Sequence, residues 1–229
     1  MEWLREQIYN NFITDNRWRY LTNGLKVTLE VTFFAVLIGI VLGLLVAVVR
    51  STYAKTGKMK IANFLCGIYI TVIRGTPVVV QLLIIYFVVF GSVKIDKVFV
   101  AIMAFGLNSG AYVAEIFRSG IMSIDNGQFE AGRSLGFSYG KTMLYIIMPQ
   151  AFKNVLPALV NEMIVLIKET AIIGYIGEQD LTKAAMVIQS RTFEAFIPLI
   201  TAAVIYLALV MLLTFFMNKL ERRLRTNER

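Results

Sequence analysis

Arg74, Gln81, Asn108 and Glu162 fall near the middles of long apolar runs. A charge at the centre of a bilayer costs several kcal/mol unless it is paired or faces water, so these groups are expected to point inward, toward a cavity. A cation, an anion and two neutral amides can bind both ends of a ligand of mixed charge. The same residues also suit a structural role, with Arg74 capping a helix broken at Gly75-Thr76-Pro77 or pairing with Glu162. A second chemical region is a polar insert between apolar segments, Glu130-Ala131-Gly132-Arg133-Ser134-Leu135-Gly136, followed after nine residues by Ile146-Ile147-Met148-Pro149.

The surroundings of these residues are those of a membrane protein. Hydrophobic residues make up 57% of the 229 and charged ones 17%, with a mean hydropathy of +0.67. That is too apolar for a soluble domain of this length. Cys66 is the single cysteine and there is no histidine, so an intrachain disulfide is excluded and metal chemistry is not expected. The net charge of +8 beside such runs points to charge sorting across a bilayer and not to nucleic acid. The first 20 residues carry Glu2, Arg5, Glu6, Asp15, Arg17 and Arg19. They lack the apolar core of a signal peptide, so the first apolar segment is expected to stay in the mature protein.

Crossing roughly 30 Å of hydrocarbon takes about 20 apolar residues in a helix. Segments near 24–49, 61–90, 98–121, 150–173 and 196–218 meet or approach that length. The expectation is an all-α polytopic membrane protein forming a single domain over 1–229 with five transmembrane helices. Six remain possible, because Pro77 interrupts the second segment and disfavours helix just before it. The loop after the first segment carries Arg50, Lys55, Lys58 and Lys60, and the basic tail 219–229 carries Lys219, Arg222, Arg223, Arg225 and Arg229. Both are expected in the cytoplasm. Five spans then place the N-terminal segment 1–23 and the acidic loop 174–195 outside, and the loop 123–149 inside. Gly39 with Gly43, and Gly106 with Gly110, each put two glycines on one helix face, a pattern read here as helix packing within one subunit.

No reaction centre emerges. Gly136-Phe137-Ser138-Tyr139-Gly140-Lys141-Thr142 imitates a phosphate loop, but it has three residues between its glycines where four are needed, and the residues before it read as helix. Without histidine there is no Ser/His/Asp or Cys/His arrangement. The chain is therefore not expected to be an enzyme.

Glu130-Ala131-Gly132, with Gly136 four positions on and Ile146, Met148 and Pro149 beyond, resembles the cytoplasmic Glu-Ala-Ala loop of ABC importer permeases. The resemblance extends over most of the chain. Arg74-Gly75-Thr76-Pro77 with Gln81, the run from Asn108 to Arg118, Gly127-Gln128 and Lys168-Glu169-Thr170 are similar to the polar amino acid branch of these type I importers, which serves glutamine, arginine, histidine or cystine. Two positions depart from the family pattern: Gly132 replaces the second alanine, and Met148 replaces the leucine before proline.

The resemblance implies a permease subunit of the cell membrane that pairs with a second permease chain, identical or related. ABC ATPase subunits using ATP and Mg would dock on a coupling helix of the Glu130 loop, and an extracellular or periplasmic solute-binding protein would deliver a polar amino acid. No cofactor is implied for this chain itself. The docking residues implied are Phe129, Glu130, Ala131, Gly132, Arg133, Leu135 and Gly136. Ala131 and Leu135 would offer an apolar face, Glu130 and Arg133 charged contacts, and Gly136 a helix end with positive φ. Within the pathway, Arg74 would meet the substrate carboxylate and Glu162 its ammonium, with Gln81 and Asn108 as neutral partners. Glu115 and Arg118, three apart on one helix face, are expected to pair. An ion-driven secondary transporter and a non-transporting membrane assembly factor are the alternatives; for the first, Glu162 is the one evident midplane carboxylate, and no internal repeat is visible.

Overall fold

The computed structural model describes residues 2–226, with the side chains of all of these except 4 and 223–226. Arg223, Arg225 and Arg229 of the basic tail therefore lie, as side chains, outside what is described. Ten α-helices are found among these residues: α1 (Glu2–Ile8), α2 (Trp18–Thr56), α3 (Lys60–Gly75), α4 (Val78–Ile84), α5 (Lys97–Met122), α6 (Asn126–Ser134), α7 (Tyr139–Thr142), α8 (Met148–Glu169), α9 (Leu181–Thr192) and α10 (Phe196–Thr226). Wider π turns extend α4 to Val89 and join α7 to α8 across Met143–Ile147.

The longest straight element is α2, whose 39 residues make a rod of roughly 58 Å at 1.5 Å per residue. It overruns the expected 24–49 segment at both ends. Gly57 stops it at φ 69°, donating its N–H to the Tyr53 carbonyl at 2.8 Å, because glycine adopts this left-handed geometry at little steric cost. Against α2 lies α5, started by Asp96, whose carboxylate accepts the Phe99 N–H at 3.0 Å. The two glycine pairs face each other across this contact. Gly39 abuts Ser109 and Gly110, Gly43 abuts Val113 and Ala114, and Gly106 and Gly110 abut Ile38 and Leu42. The glycine pattern thus serves packing inside one subunit. Lipid offers no hydrophobic drive between helices, so close backbone approach supplies the attraction.

The second apolar segment is a broken helix. The axis bends by 109° between α3 and the α4 stretch, with Thr76 extended at φ −122°, ψ 146° before Pro77. Proline lacks an N–H and leaves carbonyls of the preceding turn without donors, which in a dry interior is costly. Gln81 supplies them. Its Nε2 donates to the Ile73 carbonyl at 2.7 Å, the Thr76 carbonyl at 3.0 Å and Thr76 Oγ1 at 2.9 Å. Its Oε1 accepts from Asn108 Nδ2 on α5 at 3.0 Å. Leu82, buried one residue on, packs with Val31, Ala35, Phe105, Leu166 and Ile173 in the main core.

Three helices, α2, α5 and α10 as far as Arg222, are long and apolar enough to cross a membrane, and the bent α3–α4 pair adds a fourth if its two arms make one span. With 22 residues, α8 has the length, roughly 33 Å. Its hydropathy is lowered by Lys153, Asn154, Asn161, Glu162, Lys168 and Glu169. Exposed Phe33, Leu37, Val41 and Leu45 on α2, with Leu207, Met211 and Phe215 on α10, form apolar faces of the kind that lipid covers.

The stretch 174–195, expected as a loop, contains α9. Asp180 caps it, its carboxylate accepting Thr182 N–H at 3.0 Å and Lys183 N–H at 3.1 Å. Its buried face, Leu181, Ala184, Ala185 and Ile188, packs on Leu21 of α2.

Gln81→Leu strands the Ile73 carbonyl and the Asn108 amide, at a cost of about 1–3 kcal/mol per group. In thermal unfolding of the detergent-solubilised protein, Gln81→Leu and Asn108→Leu should each lower the midpoint. The double variant should lose less than the sum of the two.

Candidate functional site

Arg74 and Glu162 come together on one cavity of about 610 Å³ between α3, α5 and α8, which Tyr112, Glu115, Arg118 and Asn154 also line. Arg74, in the last turn of α3, is exposed, with its guanidinium 5.2 Å from the Tyr112 ring centre. Such a stacking contact orients a cation without neutralising it. Glu162, half-buried on α8, accepts a hydrogen bond from Ser109 Oγ at 3.0 Å. Among the described residues Arg74 and Glu162 form no ion pair with each other, whereas Arg17 pairs with Asp15 and Arg118 with Glu115. The Glu115–Arg118 pair closes at 2.9 Å, so two of the four charges on the cavity wall answer each other. Gln81 and Asn108 are buried at the helix break, bonded to each other, and do not line this cavity.

The second site is α6. Asp125 starts it by accepting the Gly127 N–H at 2.7 Å. Gly136, at φ 79°, ends it, with the Phe137 N–H reaching the Gly132 carbonyl at 3.1 Å and the Gly136 N–H the Arg133 carbonyl at 3.0 Å. These two bonds satisfy two of the free carbonyls of the last turn. Glu130, Ala131, Arg133 and Leu135 are exposed, Leu135 to 74%, and Arg133 Nη1 donates to the Phe137 carbonyl at 2.7 Å.

Phe129 is placed differently. Its ring turns inward and stacks on Tyr139 at 6.4 Å and 17°, while Lys55 Nζ, from the last turn of α2, sits 4.7 Å above it and donates to Asn126 Oδ1 at 2.6 Å. Burial pushes the Tyr139 phenol above its ordinary range. Gly132 is buried. A β-carbon there would lie 2.6 Å from Thr142 Cγ2 and 2.9 Å from Ile146 Cδ1, so the departure from alanine answers a local shortage of space.

Tyr112 and Lys55 are the residues that sequence reasoning passed over. Tyr112 stands four positions after Asn108, on the same face of α5, a spacing that was available as a signal. In the sequence Lys55 stands out only by its charge; nothing local links it to Phe129.

Residues 39–226 match the family described as binding-protein-dependent transport system inner membrane component. The arginine transport system permease protein ArtQ of Bacillus subtilis is 40% identical over 211 residues, covering 91% of this chain and 94% of that protein. The glutamine transport system permease protein GlnP of Escherichia coli K12 is 38% identical over 208 residues, covering 90% and 93%. A crystal structure of an amino acid ABC transporter with histidines superposes with a TM-score of 0.82 at 42% identity, covering 93% of this chain and 98% of that one. The chain belongs to the family of binding-protein-dependent transport system inner membrane components.

Proposed function

We propose that this chain is the permease subunit of an ATP-driven importer of a polar amino acid. It spans the cell membrane five times, with α8 as the span whose polar face lines the path, and pairs with a second permease chain. The arginine and glutamine permeases similar to it support the substrate class. The observation that carries the pathway reading is the unpaired juxtaposition of Arg74 and Glu162 on one cavity. In support of this reading, Gln81 supplies the donors at the helix break and no ion pair joins Arg74 to Glu162. A cation without a carboxylate partner and a carboxyl group facing one space are what an amino acid's carboxylate and ammonium require. Gln81 and Asn108 contribute by fixing the corner that presents Arg74.

Two-sidedness supports the orientation. Lys55 meets Asn126 at one end of the bundle, and Gln179 meets the Tyr20 carbonyl at the other, at 3.4 Å. The basic loop after α2 therefore shares an end with 123–149, and positive charge assigns that end to the cytoplasm. There the exposed face of α6 meets a separate ATPase, which uses ATP and Mg, while a solute-binding protein delivers substrate to the opposite end.

In proteoliposomes containing the ATPase and binding protein, Arg74→Gln and Glu162→Gln should each blunt the stimulation of ATP hydrolysis by substrate. Unchanged substrate dependence in both would sink the pathway reading. Leu135→Asp puts a charge on the exposed docking face and should weaken ATPase association about tenfold, as burying an unpaired charge does; an ATPase that co-purifies unchanged removes α6 as its site. Gly132→Ala crowds Thr142, and overpacking of about 1–3 kcal/mol outweighs the ~1 kcal/mol gained in helix propensity. Uptake should fall and recover when Thr142→Ser removes the opposing methyl group.

A further inference from the structure

We propose that Lys55 is the positioning residue that fastens α6 to α2, so that a displacement of α6 is delivered along α2 to α9 at the opposite end of the bundle. The inference rests on the reading of α6 as the element that meets an ATPase. Nine residues are too few for a helix to hold itself in water, so α6 depends on what it touches. Much of that support is local in sequence: Phe129 on Tyr139, Gly132 against Thr142 and Ile146, and Gln128 accepting from Gln150 at 3.4 Å. All of it leads into α8. Lys55 adds a tie from 71 positions away in the chain.

That tie has two points. The ammonium donates to Asn126 Oδ1 at 2.6 Å in the first turn of α6 and sits 4.7 Å over the Phe129 ring one turn on. A single contact would hold one residue of α6; two hold successive turns of it to the same ammonium. Gly57 ends α2 just beyond, so Lys55 projects from the last turn, where a cation is favoured by the free carbonyls.

From there α2 runs without a break to its other end, clamped to α5 along the glycine contact. That end carries α9. Leu181 N–H donates to Thr28 Oγ1 at 3.3 Å, the Arg191 guanidinium lies 5.1 Å from the Tyr20 ring centre, and Leu21 packs with Leu181, Ala184, Ala185 and Ile188. Movement of α6 thus has a rigid route to the far surface, in parallel with the route through α8.

The test uses the complete complex in proteoliposomes and measures amino acid taken up per ATP hydrolysed, alongside ATPase association. Lys55→Met keeps the length of the side chain and removes both contacts. The ratio should fall by about two- to fivefold, the factor expected for one exposed cation–π contact, with the ATPase still bound. Lys55→Arg, able to make both contacts, should restore the ratio. Lys55→Gln gives a second neutral variant should Lys55→Met not assemble. An unchanged ratio in the neutral variants, failure of Lys55→Arg to restore it, or loss of the ATPase on Lys55 substitution overturns the proposal. Leu135→Asp probes docking separately, so a failure of the docking reading is distinguishable from a failure of the tie.

Discussion

Inside a membrane every backbone carbonyl and N–H needs a partner from the protein itself, and the arrangement at Thr76-Pro77 exists under that constraint. A proline there opens the hydrogen-bond ladder, and the chain answers with the amide of Gln81, four residues past the proline and one turn into the next helix. Because Gln81 Oε1 is in turn held by Asn108 of α5, the corner is fixed relative to the longest-packed pair of helices. Arg74 stands two residues before the corner, so its place on the cavity wall follows from the same bonds. A leucine at position 81 would be as apolar as its neighbours and would leave the corner without donors.

The α2–α5 contact performs the complementary task of holding the bundle together where apolar burial does not help. Side chains facing lipid are already in an apolar medium, so Phe33 or Leu207 gains little by turning inward. What the glycines offer is proximity: the helix axes approach closely enough for dispersion and for Ser109 to remain available to Glu162. The same α5 therefore binds α2 with its small residues and presents Asn108, Tyr112 and the Glu115–Arg118 pair on other faces.

Apolar runs made the long helices legible, because a bilayer demands length and hydropathy and little else. The resemblance carried by the Arg74, Asn108 and Glu130 segments made the family legible before any coordinate. α9 was missed although its signal was present: Asp180 as cap and apolar residues at 181, 184, 185 and 188 follow a helical period, but acids among them read as an external loop. Phe129 is among the residues the resemblance implies for docking, and its inward turn depends on Tyr139 and on Lys55, 74 positions earlier in the chain; no local pattern encodes a contact of that range. Gln81 and Asn108 were read for their chemistry toward a ligand, whereas their bonds are to the backbone and to each other, a choice made by the 109° bend.

The corner at Thr76-Pro77 also decides how the chain can move. A proline break usually suggests a hinge, yet here the Gln81 amide ties the last turn of one arm to the first turn of the other across the bend. The two arms consequently behave as a welded bracket. With 16 residues in α3, that arm is roughly 24 Å long, and a turn of the bracket by about 10° would carry its far end through roughly 4 Å while Arg74, next to the pivot, hardly shifts. Large excursions at the periphery and a nearly stationary guanidinium near the pivot are properties of a lever whose fulcrum is the cavity wall.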